Sequence, residues 1–101
     1  MRLICLNGWG GKLNDELLAY LSSSDPDILC LQEVVHTPAA TQDWLTYRDH
    51  GIELPQRANF LRDVSDALPD HVAVFCPAAQ GDLWHGEVRY PSQWGLATFI
   101  R

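Results

Sequence analysis

The sequence has few cysteines, no long hydrophobic run and little positive charge. Its three cysteines, Cys5, Cys30 and Cys76, each fall within an apolar run and lack the spacing of metal ligands. Small hydrophobic thiols of this kind are typical of a reduced, cytoplasmic setting. No apolar stretch approaches the roughly 20 residues of a membrane-spanning helix, and the first residues lack the apolar segment of a secretory signal. The sequence predicts no membrane span and no disulfide framework.

Positive charge is scarce and scattered along the chain. Seven Lys and Arg residues stand against thirteen Asp and Glu residues, which gives a formal net charge of −6. The basic residues never cluster, so the chain lacks the patch with which proteins hold a polynucleotide backbone. General nucleic-acid binding is therefore disfavoured for this segment, whereas a bound metal cation suits the charge.

The composition is that of a folded protein of modest size. Hydrophobic residues make up 47% of the 101 residues and charged residues 20%, close to ordinary globular usage. A chain of this length forms at most one small domain and leaves little room for an elaborate active site.

The first third of the chain has the pattern of a strand, a helix and a second strand. Arg2–Leu6 is a short β-prone run that ends at Asn7, before a glycine-rich turn. An amphipathic helix is predicted from Asn14, and Ile28–Leu31 is a second apolar strand. Two strands joined by a helix favour a parallel βαβ unit, at whose carboxyl edge ligands gather. Asn7 and Glu33 are expected at that edge.

The rest of the chain predicts further helices and strands of an α/β (α+β) fold, and the strands need not be parallel. In chain order they are a short helix from Thr37 to Tyr47, a loop to Gln56, a helix over Arg57–Leu68, strands over His71–Cys76, Asp82–Val88 and Trp94–Ile100, and a loop at Arg89–Ser92 between the last two.

Glu33 is the strongest candidate for chemistry. A carboxylate directly after a buried strand is held at the edge of the core, where Mg²⁺ and similar cations find oxygen ligands. For an isolated glutamate, the commoner explanation is a strand that simply turns polar where it meets solvent. Trp9 and Trp94 have the same ambiguity, since aromatic rings line substrate grooves but more often pack. His36, three residues after Glu33, is more typical of an exposed loop than of a ligand.

A longer motif favours the functional interpretation. The run from Asp25 to Val34 reads Asp-Pro-Asp-Ile-Leu-Cys-Leu-Gln-Glu-Val, and Asn7 follows the first strand. Together they closely resemble the second-strand motif and the strand-one asparagine of the endonuclease/exonuclease/phosphatase superfamily. The run from Trp94 to Ile100 is similar to a later strand of that family.

The resemblance implies a fold, a cofactor and site residues. It implies the front part of a four-layer α/β/β/α sandwich and a catalytic Mg²⁺ or Mn²⁺. It implies that Glu33 and Asn7 are catalytic residues, with Glu33 binding the metal and Asn7 in the phosphate-binding and metal site. It implies a small-molecule, lipid-like or nucleic-acid phosphoester as substrate, and the acidic charge balance favours the first two over a long polynucleotide.

Two further family motifs are not found in this sequence. The family carries a downstream Gly-Asp-x-Asn motif and a C-terminal Ser-Asp-His motif, whereas Gly81-Asp82, Ser65-Asp66 and Asp70-His71 match neither of them. We therefore expect residues 1–101 to be a partial domain, truncated after Arg101. A truncated sheet exposes an apolar face and associates through it.

Two functions follow as hypotheses. The first is divalent-metal-dependent hydrolysis of a phosphoester, by a phosphodiesterase, phosphatase or nuclease, with Glu33 and Asn7 supplied by this chain. The alternative is a non-catalytic fragment or interaction module, because the general base and the Asp/Asn pair of the family are missing. General acid or base assistance alone is worth about 10² to 10⁴ in rate. On its own the 101-residue chain is expected to be inactive.

Overall fold

Six strands and two helices make up the fold, and the computed structural model describes all residues from Met1 to Arg101. The elements in chain order are β1 Leu3–Asn7, α1 Asn14–Ser24, β2 Ile28–His36, β3 Trp44–Asp49, β4 Ile52–Arg57, α2 Phe60–Ala67, β5 Val72–His85 and β6 Val88–Ile100, with a short 3-10 turn at Trp9–Gly11 after β1. The strands form one mixed sheet in the order β1-β2-β6-β5-β3-β4. Neither helix has the length and apolar character needed to cross a membrane.

The predicted βαβ unit is confirmed. β1 and β2 are parallel, in a register that pairs Leu3 with Ile28 and Asn7 with Gln32. All other strand pairs in the sheet are antiparallel. β2 is longer than predicted, because it continues past Gln32 and pairs with β6 as far as His36.

The segment after β2 contradicts the prediction. The expected helix from Thr37 to Tyr47 is absent, because residues 37–43 form turns and bends. The antiparallel hairpin of β3 and β4 takes the place of the rest of that helix and of the expected loop to Gln56. The turn between them carries positive φ at both central residues, 48° at His50 and 82° at Gly51. Such a turn matches the twist of paired strands and favours a hairpin. Pairing therefore overrides the helix-like spacing of the aromatic residues.

The last two strands form one long hairpin, in which the loop predicted at Arg89–Ser92 is part of β6. Pro91 pairs with Asp82 of β5, while β2 on the other side of β6 reaches only Gln93. Proline is tolerated in a strand where its missing N–H faces no partner. The chain reverses at Gly86 instead, which has a φ of 59°.

The hydrophobic core lies between the helices and one face of the sheet. The predicted stripe of the Arg57–Leu68 helix is buried, with Phe60 and Val64 at 0% exposure and Leu68 at 3%. α2 packs against α1, β2 and β5. Phe60 and Val64 join Leu29, Val35 and other strand residues in one cluster. Burying such side chains stabilises each by about 1.5–3 kcal/mol, so this face holds the fold together.

The opposite face of the sheet is apolar and open to solvent. Strand register aligns large apolar side chains across β1, β2, β6 and β5, because alternate residues of a strand share a face. Val72 is 69% exposed, Val74 56% and Leu96 52%. The open face consists of Leu3, Val72, Val74, Leu96 and Ile100.

The Asp-Pro-Asp segment ties the start of β2 to both chain ends. The Arg2 backbone N–H donates to Asp27 at 2.6 Å, and Arg101 forms an ion pair with Asp25 at 2.6 Å. The hydrogen bond from Arg2 lowers the pKa of Asp27 by more than desolvation raises it, and the charge of Arg101 lowers it further. Asp27 thus stabilises the pairing of β1 with the start of β2, and it does so in its charged carboxylate form.

Replacing Asp27 by asparagine should destabilise the protein at neutral pH but not in acid. A lowered folded-state pKa means that the carboxylate stabilises the fold above its unfolded pKa, near 3.9, and that this contribution disappears as the pH falls through the folded-state value. Urea unfolding at several pH values should therefore show the wild type and D27N converging in acid. The exposed Asp66, changed to asparagine, is the charge-matched control. A D27N deficit that is constant down to pH 2 contradicts this role.

Candidate functional site

The two predicted site residues, Asn7 and Glu33, lie at neighbouring positions on the parallel strands. Asn7 ends β1 opposite Gln32, and the Gly8 N–H donates to the Gln32 carbonyl at 2.9 Å. Glu33 directly follows Gln32, but it does not end its strand, because β2 continues to His36. Asn7 therefore ends its strand as predicted, whereas Glu33 lies inside its strand and not at the end.

Glu33 sits in a β-bulge with a strained backbone. The pairing of β2 with β6 passes from Leu31–Ala97 to Val34–Gly95, so Gln32 and Glu33 lie opposite one residue, Leu96. The φ of Glu33 is 55°, in the left-handed region that costs a side chain other than glycine about 1–2 kcal/mol. Bulges redirect side chains, and such strain persists mainly at functional positions. The bulge exposes Glu33 between the buried Leu31 and Val34.

Gly95 makes the bulge possible from the neighbouring strand. It pairs with Val34 on one side and Pro77 on the other, and β5 has its own register shift between Pro77 and Ala79. A Cβ atom on Gly95 would lie 2.1 Å from the Cys76 carbonyl oxygen and 2.8 Å from the Pro77 Cα. Both irregular strands therefore close around a position that only glycine fits.

Asn7 orients its own side chain through the turn that follows β1. Its Oδ1 accepts a hydrogen bond from the Trp9 backbone N–H at 2.8 Å, an arrangement in which asparagine mimics a backbone turn. The amide nitrogen remains as a donor for an anion such as phosphate. Metal binding by Asn7 would need the second lone pair of the oxygen that already holds the turn.

Glu33 lines a cavity of about 210 Å³ that is walled mainly by aromatic and apolar side chains. Three elements meet there, because Trp9 follows β1, Tyr47 belongs to β3 and Trp94 to β6. The Tyr47 and Trp94 rings lie edge to face with centroids 6.3 Å apart. Asn7 does not line this cavity. It lines an adjacent depression, and Trp9 borders both.

One free cation, Lys12, lines the Glu33 cavity. Its Nζ lies 4.2 Å from the centroid of the Trp9 ring. Arg57 does not line the cavity, and Asp63 accepts two hydrogen bonds from it at 2.8 and 3.1 Å. The charge of Asp49 and then desolvation raise the pKa of Tyr47, so its hydroxyl stays protonated. The cavity thus presents one carboxylate, one ammonium group and a neutral phenol.

The chain offers a partial ligand set for a divalent cation. No group of three or more His, Cys, Asp or Glu side chains is placed to hold a metal. Mg²⁺ commonly takes only one or two carboxylates and keeps water and phosphate oxygens as its other ligands. An exposed, strained Glu33 fits the role of one such carboxylate, while the remaining ligands would come from water, substrate or other residues.

Sequence reasoning missed Lys12, Tyr47 and the β3–β4 side of the cavity. Tyr47 was expected on a helix, whereas it faces Trp94 from a strand. The His50-Gly51 turn was the signal for a hairpin that could have located it. His36 lies against Phe75, with ring centroids 5.7 Å apart, and does not line the Glu33 cavity.

Comparisons with known proteins found a family and a solved structure to which this chain is similar. The model of the Endonuclease/Exonuclease/phosphatase family matches residues 6–101. Among solved structures, an endonuclease/exonuclease/phosphatase family protein from Leptotrichia buccalis C-1013-b is similar, with a TM-score of 0.57 and 14% sequence identity. The match covers 99% of this chain but 36% of that protein, so the chain spans about a third of its length. A search of curated proteins gave no match.

Proposed function

This chain belongs to the endonuclease/exonuclease/phosphatase family, and from that membership we propose that Glu33 and Asn7 serve divalent-metal-dependent hydrolysis of a phosphoester. The family is in general one of metal-dependent phosphoester hydrolases, and the fold of this chain is mixed α/β as such a domain requires. The observation that carries the proposal for this site is the bulge that exposes Glu33 at a strained φ of 55°, inside the matched span.

Each residue has a distinct task in this proposal. Glu33 holds Mg²⁺ or Mn²⁺ through its carboxylate. Asn7, fixed by its bond to the Trp9 N–H, donates from its amide nitrogen to a phosphate oxygen. Lys12 offsets phosphate charge at the cavity wall. The bound metal supplies polarisation of the phosphoryl group and offsets the charge that develops in the transition state.

We further propose that residues 1–101 are part of a larger catalytic domain and are inactive alone. The chain spans 36% of the solved relative's length. No second carboxylate and no histidine lines the Glu33 cavity, where such a group could also activate water. The aspartate, asparagine and histidine that complete the site would come from residues outside this chain. The alternative, a non-catalytic interaction module, rests on the same missing groups.

The experiment that tests the function uses a protein containing the whole family domain. Hydrolysis of bis(p-nitrophenyl) phosphate and p-nitrophenyl phosphate is measured with Mg²⁺ or Mn²⁺ in the wild type and in E33Q. Loss of metal-dependent turnover in E33Q with unchanged folding supports the proposal. Undiminished turnover in the variant rejects Glu33 as a ligand.

We propose that the open face is a packing surface, covered within a larger domain and self-associating in the isolated chain. Large apolar side chains at 50–70% exposure, such as Val74 at 56% and Leu96 at 52%, form a contiguous patch of the kind that drives association. Sedimentation velocity of the 101-residue chain should show concentration-dependent association, and V72K/V74K should sediment as a monomer. The matched control is V88K, because Val88 is 53% exposed but lies at the hairpin tip. A wild-type chain that is monomeric at all concentrations contradicts self-association through this face.

A further inference from the structure

The cavity beside Glu33 has more aromatic surface than a metal or a phosphate group needs. Trp9, Tyr47 and Trp94 line it from three separate segments of the chain. Mg²⁺ and phosphate are bound by oxygen ligands and by N–H or ammonium donors, none of which these rings supply. The aromatic wall therefore requires a ligand with a flat apolar part.

Packing explains Trp9 less well than it explains Tyr47 and Trp94. Its side chain is 53% exposed, and its backbone has a φ of 52°, which is costly for a bulky residue. The Asn7 side chain holds this conformation through its 2.8 Å bond to the Trp9 N–H. Lys12 covers part of the ring, 4.2 Å from its centroid. A large ring held out of the core at such a cost has the character of a binding surface.

Trp94 and Tyr47 form a fixed wall across the cavity from different strands. Their rings lie edge to face at an interplanar angle of 81°. Both are half-buried and pack against the hydrophobic core. A ring that is already immobilised loses little entropy when a ligand stacks on it.

The charges around the cavity limit the size of the ligand. Lys12 is its one free cation, and the chain carries a net charge of −6. Binding of a long polynucleotide requires several phosphate contacts along a positively charged groove. The cavity volume of about 210 Å³ suits one ring system.

We propose that this cavity binds the flat ring of a small phosphoester, as in a mononucleotide, with the ring stacked on Trp9 and the Trp94–Tyr47 wall and the phosphate near Lys12 and Glu33. This substrate class rests on the proposed phosphoesterase function, but ring binding by itself requires neither the metal nor turnover.

Nuclear magnetic resonance of the four indole N–H signals tests the proposal without mutating the cavity. The V72K/V74K chain, which should not associate through the open face, is titrated with adenosine 5′-monophosphate in the absence of metal. The indole signals of Trp9 and Trp94 should shift, while those of Trp44 and Trp84, which do not line the cavity, should stay. Shifts confined to Trp44 and Trp84, or no shift at all, overturn the proposal.

Variants and ring-free ligands sharpen the test. W9L should weaken binding of adenosine 5′-monophosphate about tenfold, as expected for the loss of one stacking contact. W44L is the matched control, because Trp44 is also exposed but covers Arg57. Ribose 5-phosphate should bind at least about tenfold more weakly than the nucleotide. Equal affinity for the two ligands, or an unchanged affinity in W9L, overturns the proposal.

The metal-free titration separates this inference from the proposed function. A failed hydrolysis assay leaves the binding result standing, and equal affinity for ribose 5-phosphate leaves the hydrolysis result standing. Salt-sensitive binding of a 20-nucleotide single strand, tighter than that of the mononucleotide, overturns the assignment to small phosphoesters.

Discussion

Replacing Glu33 by glutamine should reduce metal-dependent phosphoester hydrolysis by about 10²-fold or more in the protein that contains the whole domain. Loss of one charged metal ligand removes several kcal/mol of transition-state stabilisation, and each 1.4 kcal/mol is a factor of ten. Glutamine keeps the size of the side chain and the backbone strain at φ 55°. Folding stability should therefore change little, and the defect should be partly relieved by higher Mn²⁺ concentrations.

Glycine at the same position should separate strain from function. Because the left-handed conformation costs glutamate but not glycine, E33G should stabilise the chain against urea by about 1 kcal/mol while abolishing turnover. Glycine at the exposed Glu87, which is beside the β5–β6 turn and has ordinary φ, is a control that should not gain stability. Retained activity in E33G, or a loss of stability as large as about 2 kcal/mol, contradicts a strained functional role for Glu33.

Replacing Gly95 by alanine should destabilise the protein by about 3 kcal/mol, at the upper end for overpacking, and disorder the Glu33 bulge. The new Cβ would lie 2.1 Å from the Cys76 carbonyl oxygen and 2.8 Å from the Pro77 Cα. Both of these atoms are backbone, so β5 and β6 must separate to make room. Equilibrium urea unfolding, monitored by circular dichroism, measures the effect.

The control for Gly95 is Gly81, which lies on β5 in a regular stretch of pairing. Its added Cβ would be 3.3 Å from the edge of the Trp94 ring, and small side-chain shifts relieve that contact. We expect G81A to change stability by less than about 1 kcal/mol. If G95A is as stable as G81A, β5 does not approach Gly95 as closely as the structure indicates.

The beginning of the fold was predictable because its signals are local. The apolar runs around Cys5 and Leu29 and the leucine spacing of α1 specify strand, helix and strand without reference to the rest of the chain. The stripe of α2, with Phe60 and Val64, is equally local, and it is buried as expected. Local periodicity was sufficient wherever neighbours in sequence are neighbours in the core.

The β3–β4 hairpin was not predictable by the same means. Pro38 and the spacing of Trp44 and Tyr47 imitate the start and the face of a helix, whereas β3 is a strand because it pairs with β4 and β5. Tertiary pairing overrides weak helix propensity. The turn at His50-Gly51 was the one local signal against a helix.

In the site, too, local sequence signals predict some features and long-range packing determines the others. A motif located Asn7 and Glu33, but the bulge that strains Glu33 depends on Gly95, which lies far along the chain. The aromatic wall depends on Tyr47 meeting Trp94 across the sheet. Long-range packing decides both features, and no spacing within the sequence encodes it.

Paramagnetic broadening by Mn²⁺ tests the central claim, that Glu33 is a metal ligand, most directly. In the ¹⁵N-labelled V72K/V74K chain, substoichiometric Mn²⁺ should broaden the amide signals of Gln32, Glu33 and Trp9 first, and E33Q should lose this selective broadening. Equal broadening of these signals in E33Q, or selective broadening centred on the Asp25–Asp27 cluster instead, would contradict the assignment of the metal to Glu33.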